Sequence, residues 1–227
     1  MGLLSTVTRY GFGPETLLCV CASVFIVVCV LPLHEFAHGY TAFLLGDKTA
    51  KRNGRLSLNP MAHIDPIGAL MIILVGFGYA KSVPVNIMNF PRSKRKQYMA
   101  ITALAGPLSN IVMALLILFC QCIFTETSLS QLEISFYISL FLEYAATINI
   151  GLAVFNLIPI PPLDGSRIMS AVLPDKYYYK IMQYERYIIL IVFALIFIGV
   201  LDIPLSIISN LIYSLLWKIA SFPFGLF

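Results

Sequence analysis

Charge is scarce in this chain. Of its 227 residues, 11% are Asp, Glu, Lys or Arg and 59% are apolar. An ordinary soluble domain carries about 25% charged and about 45–50% apolar residues. A globule of this length could not cover its surface with so few charges. That excludes a cytosolic enzyme, a disordered tail and a nucleic-acid reader. Histidine is rarer still, with three residues in all. The five cysteines (Cys19, Cys21, Cys29, Cys120 and Cys122) lie in or at the ends of apolar runs. Their spacing fits neither a disulfide frame nor a cysteine zinc site, so they read as small buried hydrophobes. No internal repeat is visible, and no stretch offers room for an added soluble domain.

What the chain has instead is long apolar runs, with a mean hydropathy of +0.87. Crossing about 30 Å of hydrocarbon as a helix takes about 20 residues. Spans are predicted over Leu17–Leu45, interrupted at Pro32, over Tyr98–Cys122 and over Ile134–Asn156. A shorter fourth covers Tyr187–Leu201, and a fifth candidate, Leu205–Ala220, is amphipathic and either spans or lies at the interface. Ile67–Ala80 would cover only about 21 Å as a helix, and Gly68, Gly76 and Gly78 weaken it. It reads as re-entrant or as an extended hairpin, tolerated at membrane depth only when packed against protein. The first run leads straight into polar residues of catalytic type, so it is not a disposable signal peptide.

Nine of the fifteen basic residues fall between Gly46 and Gln97. The loop after the second span carries Glu126 and Glu133 with no Lys or Arg, and the next has Arg167, Lys176, Lys180 and Arg186. This alternation predicts an outside N-terminus and basic loops in the cytoplasm. It also requires that Ile67–Ala80 not cross.

The first span ends in His34-Glu35-Phe36-Ala37-His38. Residues at i and i+4 share a helix face, so both imidazoles can reach one ion with Glu35 beside it. Two histidine nitrogens, an added ligand and an open position suit zinc. Glu35 would then act as the general base and later return the proton to the leaving amine. Ionisable residues inside a membrane-length run cost about 2.5–3.5 kcal/mol each on insertion scales, and so point to function. A third ligand is expected from the same side of the membrane. The third span runs into Asn156-Leu157-Ile158-Pro159-Ile160-Pro161-Pro162-Leu163-Asp164-Gly165. Its prolines force the chain to unwind and bring Asp164 to the inner side.

These residues resemble the site-2 proteases, a family of intramembrane zinc metalloproteases. The likeness rests on His34-Glu35-x-x-His38 and on Asn156-x-x-Pro159-x-Pro161-Pro162-Leu163-Asp164-Gly165. Between them, Ala105-Gly106-Pro107-Leu108-Ser109-Asn110 is similar to the family's middle Gly-Pro-x-x-Asn element. Asn59-Pro-x-x-His63-x-Asp65-Pro66 and Ala80-Lys-Ser-Val-Pro-Val-Asn86 resemble its compact bacterial branch. The resemblance covers about residues 31–169. It implies one Zn2+ held by His34, His38 and Asp164, with Glu35 as base. It also puts the family's asparagine on Asn156, for holding substrate or the oxyanion. No stretch corresponds to the PDZ or CBS domains of many members.

Other residues carry two readings. His63 is a hydrogen-bonded loop histidine or, functionally, a transient ligand or oxyanion donor. Arg55-Leu56-Ser57-Leu58 alternates as a strand would, either as an ordinary hairpin or as an edge for an unwound substrate. Residues 92–96 are expected at anionic headgroups, and Gly106-Pro107 reads as close helix packing with a kink.

The expected molecule is an all-α polytopic membrane protein. It has about five transmembrane helices, a re-entrant or β-hairpin segment and an unwound active-site loop. Residues 1–227 form a single membrane-embedded peptidase domain, with a catalytic core of about 17–170 and C-terminal helices of about 186–222. Its expected partners are the lipid bilayer and a transmembrane protein or peptide substrate, with no nucleic acid. A bacterial cell membrane is the expected setting, with the active site toward the cytoplasm. The alternative is a membrane metal-ion transporter using the same His/Asp cluster, which leaves Glu35 without a role.

Overall fold

The computed structural model describes residues 2–76 and 78–225. A short helix α1 (Leu3–Tyr10) turns back into α2 (Pro14–Phe25). After one π-helical turn, Ile26–Val30, the helix continues as α3 (Leu31–Leu44). The interruption expected at Pro32 is therefore a local widening and not a break. A proline cannot donate to the preceding turn, and the π turn just before it takes up the mismatch. The resulting 31-residue helix, Pro14–Leu44, is long and apolar enough to cross a membrane.

After the short helices α4 (Thr49–Arg52) and α5 (Pro60–His63) comes α6 (Pro66–Val75). Asp65 caps α6, its carboxylate accepting from the N–H groups of Ile67 and Gly68 at 3.0 Å. Gly76, with φ of 89°, ends it in the left-handed conformation that glycine adopts without a Cβ penalty. At ten residues α6 is about 15 Å long. The chain then returns extended along it. The backbone of Tyr79 lies against Gly68, and the Lys81 N–H donates to the His63 carbonyl at 2.8 Å. The β-hairpin alternative for this segment is thus replaced by a helix with an extended return. No strand forms among the described residues, Arg55–Leu58 included.

Two long helices form the frame: α7 (Arg95–Glu126) and α8 (Glu133–Asn156). α7 carries an inside-out pattern. Its exposed face presents Leu104, Leu108, Val112 and Leu116, while Thr102, Asn110 and Gln121 are buried. Apolar outside and polar inside is what hydrocarbon selects, because polar groups there need partners within the protein. α8 packs along α7 and contributes Ala145, Ala146, Ile148, Leu152 and Ala153 to the core.

Beyond the unwound segment 157–163 lie α9 (Asp164–Met169), α10 (Asp175–Met182), α11 (Glu185–Phe197) and α12 (Asp202–Ser221). Among the described residues four helical stretches are long and apolar enough to cross: Pro14–Leu44, Arg92–Glu126, Glu133–Asn156 and Asp202–Phe224. The fifth candidate of the sequence is therefore the longer C-terminal helix. The expected fourth is α11, whose 13 residues reach about 20 Å.

Candidate metal centre

His34 and His38 sit one turn apart on α3, both buried, with their Nε2 atoms 3.1 Å apart. Each ring is oriented by α7. His38 Nδ1 lies 2.7 Å from the Thr102 carbonyl, which can only accept, so in the neutral ring the proton sits on Nδ1. His34 Nδ1 faces Asn110 Oδ1 at 3.3 Å in the same sense. Both Nε2 lone pairs then point at one spot. Gly106 of α7 lies against both Nε2 atoms, where any side chain would collide with them.

Asp164 completes the group. The prolines at 159, 161 and 162 stop α8 from continuing, and Gly165 packs on the carbonyls of Leu157 and Ile158. This turn delivers Asp164 Oδ2 to 3.1 Å from His38 Nε2 and 3.4 Å from His34 Nε2. Three acceptor atoms, two of them with their protons turned away, repel one another unless a cation lies among them. Tetrahedral ligands about 2.0–2.1 Å from zinc stand about 3.4 Å from each other, close to the separations here. The residues fit Zn2+.

Glu35 is buried beside this cluster, and its Oε2 accepts the Val83 N–H at 2.8 Å. Glu35, His38, Ser82, Val83, Val85, Thr102, Pro162, Asp164 and Arg167 line a small cavity of about 30 Å³, enough to admit water. The extended return segment thus forms one wall of the cleft.

His63 and Asn156 stand apart from the cluster. His63 is fully buried, with Nε2 2.7 Å from the Ser57 carbonyl. Asn156 Nδ2 donates to the Leu152 carbonyl of its own helix at 3.0 Å. Arg55 does not belong to an edge strand. Its guanidinium donates to the carbonyls of Lys81 and Ser82, at 2.7 and 3.3 Å.

The curated "Putative zinc metalloprotease YwhC" of Bacillus subtilis is 36% identical to the chain over 176 residues. That alignment covers 77% of this chain and 79% of the relative. "Putative zinc metalloprotease Rip2" of Mycolicibacterium smegmatis is 32% identical over 140 residues, 60% of this chain and 51% of that protein. The profile of Peptidase family M50 matches residues 123–199, which include Asn156 and Asp164. No solved structure matches. The chain belongs to Peptidase family M50, the site-2 proteases. It is a zinc metalloprotease and a multi-pass membrane protein.

Four contributors to this M50 site were not singled out from the sequence: Val83, Thr102, Asn110 as a histidine partner, and Arg167. Thr102 and Val83 act through backbone atoms, which leave no residue-type signal. Asn110 belonged to a recognised motif whose target was not apparent. Gly106, read as a helix-packing glycine, is where α7 closes on α3, and what it packs against there is the two imidazoles.

Proposed function

We propose that this M50 protease is an intramembrane endopeptidase that cleaves transmembrane or membrane-associated segments, in regulated intramembrane proteolysis. The observation that carries the reading is the convergence of His34, His38 and Asp164 beside the Glu35 carboxylate, on a helix of membrane-crossing length. His34, His38 and Asp164 hold the ion. Zn2+ bound there supplies Lewis acidity that polarises a scissile carbonyl and eases deprotonation of water. One oxygen of Glu35 is held by the Val83 N–H, which leaves the other to take the proton from the attacking water. The same carboxyl then gives that proton to the departing amine nitrogen.

A substrate helix hides its amides in i to i−4 hydrogen bonds, so it must unwind before it can enter a cleft this narrow. Asn156 and His63 are assigned the positioning of the loops that flank the site. An oxyanion role for Asn156 requires its amide to leave Leu152. In this reading the protein sits in a bacterial cell membrane, the basic loops support a cleft facing the cytoplasm, and α6 re-enters from that side. Residues 1–227 act as one peptidase domain, with a catalytic core of about 17–170 and C-terminal helices of about 186–222.

The test is cleavage of a transmembrane peptide by the purified protein with zinc, with chelator, and with Glu35→Gln. Cleavage is expected with zinc alone, while the Glu35→Gln protein keeps its zinc and is inactive. Zinc flux into vesicles without peptide cleavage would make the chain a transporter and overturn the proposal.

A further inference from the structure

Asp47 is a buried carboxylate with no part in the metal cluster. It lies just past α3, 1% exposed. Its oxygens accept from the Thr49 N–H at 2.9 Å, the Thr49 hydroxyl at 2.5 Å, the Asn86 N–H at 2.7 Å and Asn89 Nδ2 at 2.6 Å. A carboxylate with four donors around it is fully satisfied, which is the condition for keeping a charge out of water. Two of those donors, Asn86 and Asn89, frame the short 3-10 turn Ile87–Asn89 at the far end of the return segment. Its near end is fixed by the Lys81 N–H on the His63 carbonyl and by Arg55 on the carbonyls of Lys81 and Ser82. Val83 lies between the two tethers, with its N–H on Glu35 and its side chain against Gly39. Nothing periodic holds this segment, since it belongs to neither helix nor sheet. Its place over the catalytic cleft rests on those fastenings, on the buried Val83 and, beyond Asn89, on Arg95, which donates to the carbonyls of Met88 and Phe90.

We propose that Asp47 is a positioning residue for peptide hydrolysis: by clasping Asn86 and Asn89 it holds Ser82–Val85 as a wall of the cleft and keeps the Val83 N–H on Glu35. The proposal rests on Glu35 acting as the base, but the clasp itself can be read without turnover. Releasing it lets the Val83 amide drift from Glu35. Displacements of about 1 Å at a reacting group can cost about 100-fold in rate. The metal ligands are on α3 and α9 and are not fastened by Asp47, so zinc should stay.

The experiment uses the full chain in detergent, in a background with the five native cysteines replaced by alanine. It compares Asp47→Ala with the milder Asn89→Ala, which removes one exposed partner of the clasp. Val83→Cys reports on the segment through its rate of maleimide labelling. With the clasp intact the buried thiol should label slowly. Asp47→Ala should speed labelling by about 10-fold or more, and Asn89→Ala by less, with one zinc per chain retained. In the Cys-free background alone, kcat for a transmembrane peptide should fall by about 10–100-fold in Asp47→Ala, with KM within about threefold. Unchanged labelling in both variants would overturn the clasp. A fall in kcat that merely tracks lost zinc or lost folded protein would overturn the positioning role. Faster labelling combined with an active Glu35→Gln protein would leave the clasp standing and refute the base assignment instead.

Discussion

Gly106 and His38 are in contact across the α3–α7 interface, and the contact leaves no room for a side chain. A Cβ at position 106 would fall 2.5 Å from His38 Cε1 and 2.6 Å from His34 Nε2. The neighbours that would have to yield are the imidazoles themselves, which can rotate, and not a rigid backbone. Gly106→Ala should therefore spare the fold and spoil the metal site. Zinc affinity is expected to drop by at least about 10–100-fold, the scale of changes that misorient ligands. Metal analysis and a thermal melt of the same preparation check this. A variant with parental zinc affinity would mean that the helices separate to accept the methyl group.

Asn110 gives a case in which metal binding should change while stability stays nearly level. Its Oδ1 orients His34, but its Nδ2 is buried with no hydrogen-bond partner among the described residues. A buried unsatisfied amide costs about 1–3 kcal/mol. Asn110→Leu removes that cost but leaves the buried His34 Nδ1–H without its acceptor, a cost of the same size. The zinc-free protein should therefore melt close to the parental temperature, while zinc affinity falls about 10–100-fold. Titration with a competing chelator, beside a melt of the zinc-free form, reads both. Lower stability together with unchanged affinity would reverse both assignments.

The Asp47 clasp has a pH signature. Burial opposes its charge, but hydrogen bonds from Thr49, Asn89 and Asn86 outweigh burial and hold its carboxyl below the ordinary value. A folded-state pKa below the unfolded one contributes stability above the unfolded value of about 3.9, and loses it as pH falls through the folded value. The zinc-free parent should thus melt higher than Asp47→Asn near pH 7, with the gap closing below about pH 4. Melts of both proteins from pH 7 to 3 measure the gap. A gap that stays constant over that range would show that the charge of Asp47 contributes nothing.

The metal centre was legible because its parts are local. His34 and His38 are four residues apart on one helix, and Asp164 follows a run of prolines that must unwind. The orienting shell was not, because it comes from 64 to 76 positions away in sequence, through Thr102 and Asn110. The α6 segment is short, as its sequence suggested, at ten helical residues. Its alternation-free apolar run, however, could not distinguish a helix with an extended return from a hairpin. The Asp65 cap, the left-handed Gly76 and the close approach of Gly68 to Tyr79 decide it. At Arg55–Leu58 the period-two pattern misled. Arg55, the first residue of that pattern, fastens the segment over the site through the carbonyls of Lys81 and Ser82.

Asn156 tests whether a motif position does chemistry or ends a helix. Leu152 is one turn back from Asn156, and α8 stops at Asn156 because the following prolines cannot extend it. The Leu152 carbonyl is the regular i−4 acceptor for the Asn156 backbone N–H, and the Asn156 side-chain amide adds a second donor to it at 3.0 Å. In that position it holds the end of α8, from which the Asp164 turn is built. Asn156→Ala should cost about 0.5–1.5 kcal/mol, the net worth of one hydrogen bond, and lower the melting temperature. Turnover per zinc-loaded, folded molecule should then stay within about threefold of the parent. The oxyanion assignment predicts the reverse: unchanged melting, and a loss of about 10²–10³-fold in kcat, as when an oxyanion donor is removed. Melting and single-turnover cleavage measured on one zinc-loaded preparation separate the two. A large kinetic loss at parental stability would mean that the amide leaves Leu152 when substrate binds.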